Sequence, residues 1–160
     1  MSISFTLNGT PMVWEGDATA RLLDVLRNEL PDEYRCVGVK SGCNEGECGA
    51  CSVILDGELV NACMAAMGRV WGSEIVTIEG FRETEAFSVL DRAFAETGAV
   101  QCGFCTPGMI LAAYCLLRKH PNPTEADVRE GLSGNMCRCT GYNAIVRGVL
   151  QAAEEGAGLW

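Results

Sequence analysis

The chain lacks several features that would assign it to common classes of protein. No apolar run approaches the ~20 residues that a membrane-spanning helix needs, so no membrane span is expected. No secretory signal is recognisable, because residues 1–5 lead directly into an alternating strand pattern. We therefore expect a cytoplasmic protein whose cysteines stay reduced and bind metal rather than form disulfides.

Positive charge is also scarce. The 160 residues include 12 Lys and Arg against 21 Asp and Glu, and the formal net charge is −9. Because nucleic-acid binding depends on neutralising phosphates, this balance argues against a nucleic-acid partner and favours a basic protein surface. The sequence has no G-x-G-x-x-G fingerprint either, so any dinucleotide site is expected on another chain.

Cysteine, in contrast, is abundant, and eight of the ten cysteines fall into two quartets. The first quartet has the spacing C-x4-C-x2-C-x11-C and consists of Cys43, Cys48, Cys51 and Cys63. The second has the spacing C-x2-C-x31-C-x-C and consists of Cys102, Cys105, Cys137 and Cys139. The first spacing is that of plant-type [2Fe–2S] proteins, so the pattern indicates a protein that passes single electrons.

Three cysteines of the first quartet lie in a glycine-rich loop that also contains Gly42, Gly46 and Gly49. Glycine allows unusual backbone dihedrals and lets N–H groups approach the sulfurs. The nearby Glu45 and Glu47 should disfavour the more negative, reduced cluster. A zinc knuckle or an unliganded cysteine-rich loop is the alternative, but zinc loops favour C-x2–4-C pairs, which this run fits less well.

The second quartet is more ambiguous. Cys102 and Cys105 alone are compatible with half of a zinc site or with a redox pair. The spacing C-x-C of Cys137 and Cys139 is unusual for zinc, because one intervening residue holds the two ligands closer together than the usual two to four. Both pairs precede predicted helix starts, where partial positive charge and free N–H groups favour an anionic cluster. Spacing therefore favours iron–sulfur over zinc and leaves zinc open.

Hydrophobic periodicity predicts an α+β protein whose two halves differ in character. Residues 1–79 resemble a small mixed sheet crossed by one helix, and residues 80–160 resemble four short helices. The predicted elements are hairpins turning at Asn8-Gly9 and Asp56-Gly57, a helix over 19–30 capped by Asp17, a strand over 75–78, and helices over 86–96, 106–119, 125–132 and 142–155.

Both halves resemble one family, the small iron–sulfur subunits of the molybdenum hydroxylases, which include xanthine dehydrogenase, aldehyde oxidoreductase, nicotinate dehydrogenase and carbon monoxide dehydrogenase. The strings SGCNEGECGACSV, GAVQCGFCTPGMI and SGNMCRCTGY carry the resemblance, which covers roughly residues 3–152. It implies a plant-ferredoxin-like β-grasp domain over residues 1–79 and a four-helix domain over residues 80–160. Each domain would hold one [2Fe–2S] cluster on its cysteine quartet.

The resemblance also implies partners and a direction for the electrons. A large molybdopterin subunit would lie next to the second cluster, and a medium FAD subunit would lie toward the first, in a heterotrimer that could dimerise further. Electrons would pass from molybdenum through the second cluster and then the first to FAD. Gln101 and Cys139 match positions that contact the pterin. This chain would therefore be an oxidoreductase subunit that does not turn over substrate alone.

The substrate of the complex is less defined by the motifs. The residues of the three strings favour a complex that acts on an N-heterocycle such as a purine or nicotinate. The alternative is the same subunit in an aldehyde or carbon monoxide dehydrogenase. A free-standing iron–sulfur carrier or sensor and a structural zinc protein are rival interpretations.

A few residues lie outside the quartets. Cys36 and Cys115 are expected to be buried, inert thiols. Arg138 either screens cluster charge, contacts a partner or is simply solvated. Trp71, Phe81 and Phe104 are candidates for a partner interface or for the core.

Overall fold

A five-stranded sheet dominates the N-terminal half of the computed structural model, which describes all 160 residues. In chain order its strands are β1 (Ser2–Leu7), β2 (Thr10–Glu15), β3 (Ser52–Leu55), β4 (Glu58–Asn61) and β5 (Glu74–Val76). The strands lie in the order β2-β1-β5-β3-β4 across the sheet. Strands β1 and β5 are parallel, and the other neighbouring pairs are antiparallel. The predicted mixed sheet is confirmed.

Both predicted hairpins are present. Asn8-Gly9 joins β1 to β2, and Asp56-Gly57 joins β3 to β4. All four turn residues have positive φ, between 50° and 85°. Two-residue turns of this kind match the right-handed twist of the flanking strands, which is why the Asn-Gly and Asp-Gly pairs were informative.

The fifth strand is shorter than predicted. Strand β5 ends at Val76, and a short helix, α2 (Ile78–Phe81), begins two residues later. The intervening Thr77 donates its N–H to the side-chain oxygen of Asn8 at 2.8 Å instead of continuing a strand ladder. The predicted strand over residues 75–78 is therefore too long at its end, because residues 77 and 78 belong to the connector between the two halves.

The helix that accompanies the sheet also differs from the prediction. It starts at α1 (Leu22–Asp24) and continues as a wider π-helical segment, Val25–Glu29. Asp17 is not its cap, because the Asp17 carboxylate accepts hydrogen bonds from the N–H and hydroxyl of Thr19 in a preceding turn. The predicted helix start and cap were therefore wrong, although the buried apolar residues are those the periodicity indicated: Leu22, Leu23, Leu26 and Leu30.

Beyond β5 the chain is helical. After α2 come α3 (Glu85–Glu96), α4 (Thr106–Lys119), α5 (Glu125–Gly131) and α6 (Asn143–Glu155). Pro107 lies in the first turn of α4, and Thr124 with Asp127 forms a capping box at the start of α5. These starts agree with the predicted ones. No helix has both the length and the apolarity to cross a membrane.

Strand β3 separates two buried cores. Val53 and Leu55 belong to a cluster of 20 buried residues formed by the N-terminal half. Ile54, between them, belongs to a cluster of 22 that otherwise comes from residues 81–153. Because successive strand residues point to opposite faces, one strand contributes to both cores. The first cysteine-bearing loop leads directly into this strand, because Cys51 precedes Ser52.

The three aromatic candidates for a partner interface separate in the structure. Trp71 is 65% exposed and Phe104 is 47% exposed. Phe81 is buried, and its ring lies 4.6 Å from that of Tyr114 and 6.1 Å from that of Phe87, between centroids. Phe81 is therefore a core residue, and only the other two remain available to a partner.

Candidate metal centres

The first quartet forms where the glycine-rich loop meets the β3–β4 hairpin. Cys51 directly precedes β3, and Cys63 lies just beyond the end of β4. The ladder of the hairpin continues past both strands, because the N–H of Ala62 donates to the carbonyl oxygen of Cys51 at 3.1 Å. Pairing of the two strands thus brings Cys63 to Cys51, and both residues are buried.

The loop surrounds the Cys43 sulfur with backbone donors. Three N–H groups lie 3.3–3.4 Å from this Sγ, those of Glu45, Cys48 and Glu47. These hydrogen bonds lower the pKa of the Cys43 thiol to about 7. Because the thiolate is the metal ligand, the loop already favours the binding form of this residue.

The loop glycines serve two different purposes. Gly46 and Gly49 have φ of 80° and 66°, a region that costs a residue with a Cβ roughly 1–2 kcal/mol. Gly42 does not have positive φ. A Cβ at Gly42 would instead lie 2.7 Å from the Sγ of Cys48, so glycine is needed there to let the thiol approach. The predicted dihedral freedom applies to two of the three glycines.

The cysteines of the second quartet come from two loops that are distant in sequence. Cys102 and Cys105 lie before α4, and Cys105 is the residue at its N-cap. Cys137 and Cys139 lie in the segment that leads to α6. The predicted placement of both pairs ahead of helix starts therefore agrees with the structure.

Two residues that the cysteine spacing did not indicate support this quartet. The hydroxyl of Thr140 donates to the Sγ of Cys137 at 3.1 Å, and the N–H of Cys137 donates to the hydroxyl of Tyr142 at 2.9 Å. Burial raises the pKa of Cys137, but the bonds from Thr140 and the following N–H groups outweigh it and lower the pKa overall. Gly141 and Tyr142 both have positive φ in the turn before α6. The glycine was the only sequence signal for this turn.

The eight thiols meet in four pairs. The Sγ atoms of Cys102 and Cys139 are 3.6 Å apart. Two thiolates on one tetrahedral metal at about 2.3 Å would lie roughly 3.8 Å apart. The other pairs are Cys43 with Cys48, Cys51 with Cys63, and Cys105 with Cys137, and in each of them one thiol is close enough to shift the pKa of the other.

This pairing fits a two-metal cluster. A [2Fe–2S] cluster held by four cysteines takes two thiolates on each iron. The two thiol pairs of each quartet would supply these ligands. The donor set therefore fits a [2Fe–2S] cluster at each quartet.

Several of these thiols are protonated at neutral pH in the absence of metal. Burial raises the pKa of Cys51 to about 11 and that of Cys105 to about 12, and the partner thiol of each pair adds to the rise. The Cys102 thiol raises the pKa of Cys139 in the same way. Metal binding at these residues must therefore release protons.

One cavity of about 270 Å³ adjoins both quartets. Its wall includes Cys43 and Cys48 of the first quartet and all four cysteines of the second. Gly42, Ala50, Phe104, Met136 and Arg138 complete the lining. Sequence reasoning separated the quartets into two halves of the chain, whereas the fold makes them neighbours.

The segment before Cys137 contacts the first quartet directly. The N–H of Met136 donates to the carbonyl oxygen of Cys48 at 2.9 Å. Asn135 is buried and donates its side-chain amide to the carbonyl oxygen of Gly49 at 3.1 Å. Neither residue was a candidate from the sequence.

The remaining candidates lie in different environments. Gln101 and Arg138 are exposed next to the second quartet, and the Gln101 amide contacts only the carbonyl oxygen of Gly98. Cys36 and Cys115 are buried, and burial raises the pKa of each thiol to about 11. The prediction that these two are buried thiols is confirmed.

Known proteins are similar to this chain over all or part of its length. A family model described as "[2Fe-2S] binding domain" matches residues 77–150. The nicotinate dehydrogenase small FeS subunit of Eubacterium barkeri is 45% identical, over 98% of this chain and 98% of its own. The xanthine dehydrogenase iron-sulfur-binding subunit of Escherichia coli is 42% identical, over 96% of this chain and 95% of its own.

Solved structures agree with these relatives. Quinoline 2-oxidoreductase from Pseudomonas putida 86 contains a chain with a TM-score of 0.88 and 37% identity, matching 98% of this chain and 96% of that one. Aldehyde oxidoreductase from Desulfovibrio gigas has a TM-score of 0.89 and 43% identity, and the match covers all of this chain but 18% of that one. This chain belongs to the family of small [2Fe–2S] subunits of the molybdenum hydroxylases.

Proposed function

We propose that this chain is the electron-transfer subunit of a molybdenum hydroxylase and holds two [2Fe–2S] clusters. One would be bound by Cys43, Cys48, Cys51 and Cys63, and the other by Cys102, Cys105, Cys137 and Cys139. The observation that carries the proposal is that one cavity is lined by two thiols of the first quartet and all four of the second, of which Cys102 and Cys139 have their Sγ atoms 3.6 Å apart. One-electron exchange is the chemistry that each cluster supplies when bound.

The proposal divides the chain into a ferredoxin-like β-grasp domain over residues 1–79 and a four-helix domain over residues 80–160. Two observations support this division. The buried residues form two clusters on opposite faces of the sheet, and β3 is the only strand that contributes fully buried residues to both. The connector between the halves is the short helix α2, which follows directly on the last strand.

The residues around each quartet have separate tasks in this proposal. N–H groups of the first loop stabilise the thiolate of Cys43, and the hydroxyl of Thr140 stabilises that of Cys137. The exposed carboxylates of Glu45 and Glu47 place negative charge beside the first cluster, which favours its oxidised state. The chain would thus hold both clusters and adjust their tendency to accept an electron.

A large molybdopterin subunit would cover the second quartet, and a medium FAD subunit would lie toward the first. Cys102 and Cys139 are exposed, and the apolar side chains of Phe104 and Met136 beside them are 47% and 59% exposed. Exposed apolar groups around a redox site suit a protein interface. Gln101 and Cys139 would contact the pterin, and electrons would enter at this end and leave toward FAD.

The proposed assembly is a cytoplasmic heterotrimer, single or dimerised, that hydroxylates an N-heterocycle such as a purine or nicotinate. Relatives named nicotinate dehydrogenase, xanthine dehydrogenase and nicotine 6-hydroxylase support this substrate class. The aldehyde oxidoreductase of Megalodesulfovibrio gigas is 46% identical over 92% of this chain, which keeps an aldehyde as the second candidate.

Purification from the native host tests the assembly. We expect the chain to co-purify with a molybdopterin-binding and an FAD-binding chain, identified by mass spectrometry, and the complex to reduce its flavin when an N-heterocycle is added. A stable monomer that carries iron but no partner chains would instead support a free-standing electron carrier. Reduction by aldehydes alone would reassign the substrate.

A further inference from the structure

Asn135 connects the two quartets through its buried side chain. It is 4% exposed, and its Nδ2 donates to the carbonyl oxygen of Gly49 at 3.1 Å and to the hydroxyl of Ser52 at 3.3 Å. Gly49 lies between Cys48 and Cys51 of the first quartet. Because Asn135 itself lies two residues before Cys137, one amide joins both metal-binding segments.

The surroundings leave this amide little freedom. The hydroxyl of Ser52 also donates to the carbonyl oxygen of Gly49, at 2.7 Å, so both partners of Asn135 are held together. A Cβ at Gly49 would lie 2.5 Å from the Nδ2 of Asn135, and a Cβ at Gly108 would lie 2.4 Å from the Gly49 oxygen. Two glycines therefore allow the loop, the amide and α4 to touch at one point.

The residue after Asn135 forms a second link between the quartets. The N–H of Met136 donates to the carbonyl oxygen of Cys48 at 2.9 Å, and Met136 is bonded directly to Cys137. One hydrogen bond thus spans from a residue of the first quartet to the neighbour of a residue of the second.

We propose that Asn135 is a positioning residue for electron exchange between the two clusters, an inference that rests on the proposed function. Its amide fixes the loop of Cys48 against the segment of Cys137, so that the Met136–Cys48 hydrogen bond forms at a constant spacing. With both clusters bound, a single electron would cross this contact, and one centre would be oxidised as the other is reduced. No bond is made or broken, and no proton moves.

The test compares two asparagines that hold the same loop. Asn135→Leu removes the amide and keeps a side chain of similar size. Asn61→Leu is the matched control. Asn61 is the last residue of β4, and its side-chain amide donates to the carbonyl oxygen of Gly46 at 2.8 Å, within the first quartet's own loop. The full chain is reduced with dithionite, and EPR records the splitting that the magnetic interaction between the two reduced clusters produces.

We expect wild-type iron content in both variants, loss of the splitting in Asn135→Leu and an unchanged splitting in Asn61→Leu. Asn135→Ser, whose side chain is too short to reach Gly49, should behave like Asn135→Leu and is the variant to use if the leucine does not fold. An unchanged splitting in the Asn135 variants, or an equal loss in Asn61→Leu, would overturn the proposal. So would loss of iron from the Asn135 variants, because the residue would then hold a cluster rather than set a spacing. A wild-type chain that binds no iron would refute the proposed function itself.

Discussion

Gly108→Ala tests whether α4 and the first metal-binding loop must touch. Gly108 is buried in the first turn of α4, where alanine would ordinarily be the better helix former. A Cβ at this position would lie 2.4 Å from the carbonyl oxygen of Gly49 and 3.2 Å from the Nδ2 of Asn135. The obstructing atom belongs to the backbone, so it cannot move aside by a change of rotamer.

The two effects of the substitution have opposite signs. Helix propensity favours alanine by about 1 kcal/mol. Overpacking a well-filled site costs about 1–3 kcal/mol, and a fixed carbonyl oxygen places this site at the upper end. The net loss should therefore be about 1–2 kcal/mol, which corresponds to a fall of about 2–8 °C in melting temperature for a chain of this size.

Thermal unfolding of the iron-loaded full chain, followed by circular dichroism, measures this change. Gly134→Ala is the matched control, because a Cβ at Gly134 meets nothing within 4 Å although it neighbours Asn135. Its melting temperature should stay near that of the wild type. A Gly108→Ala chain that melts at or above the wild-type temperature would show that the loop and α4 do not need this close approach.

Three further predictions concern single side chains. In the assembled complex, Cys139→Ser should stop reduction of the flavin by substrate while the EPR signal of the first cluster persists; continued turnover with the natural acceptor would refute the proposed electron order. Cys36→Ala and Cys115→Ala should leave the iron content unchanged, because neither thiol belongs to a pair, and iron analysis would detect a loss that contradicts this. Thr124→Ala should cost about 0.5–2 kcal/mol in thermal unfolding, because it removes the capping box of α5; an unchanged melting temperature would mean that the cap does not contribute.

Local signals in the sequence correctly predicted the turns and helix starts whose contacts form within a few residues. Asn8-Gly9 and Asp56-Gly57 specify their hairpins because few other residue pairs accept positive φ twice. Thr124 specifies a helix start because its hydroxyl and the carboxylate of Asp127 satisfy free N–H groups within the same turn. Asp17 carries a similar signal but bonds to Thr19, so a capping residue alone does not identify the helix start.

The metal centres were predictable only in part, for the same reason. Spacing within a loop indicates that Cys43 and Cys48 act together, but the contact of Cys102 with Cys139 depends on how α4 and α6, which follow the two loops, each pack against α3 and α5. Asn135 looks like an ordinary turn residue in the sequence. Its role depends on the carbonyl oxygen of Gly49, 86 positions earlier, which no local pattern reveals.

The most direct test of the central claim is the metal content of the purified chain together with its EPR spectrum. Two [2Fe–2S] clusters require about four iron atoms and about four acid-labile sulfides per chain. We expect a brown protein with these contents and two distinct EPR signals after dithionite reduction. A colourless protein that contains stoichiometric zinc and gives no EPR signal would contradict the account.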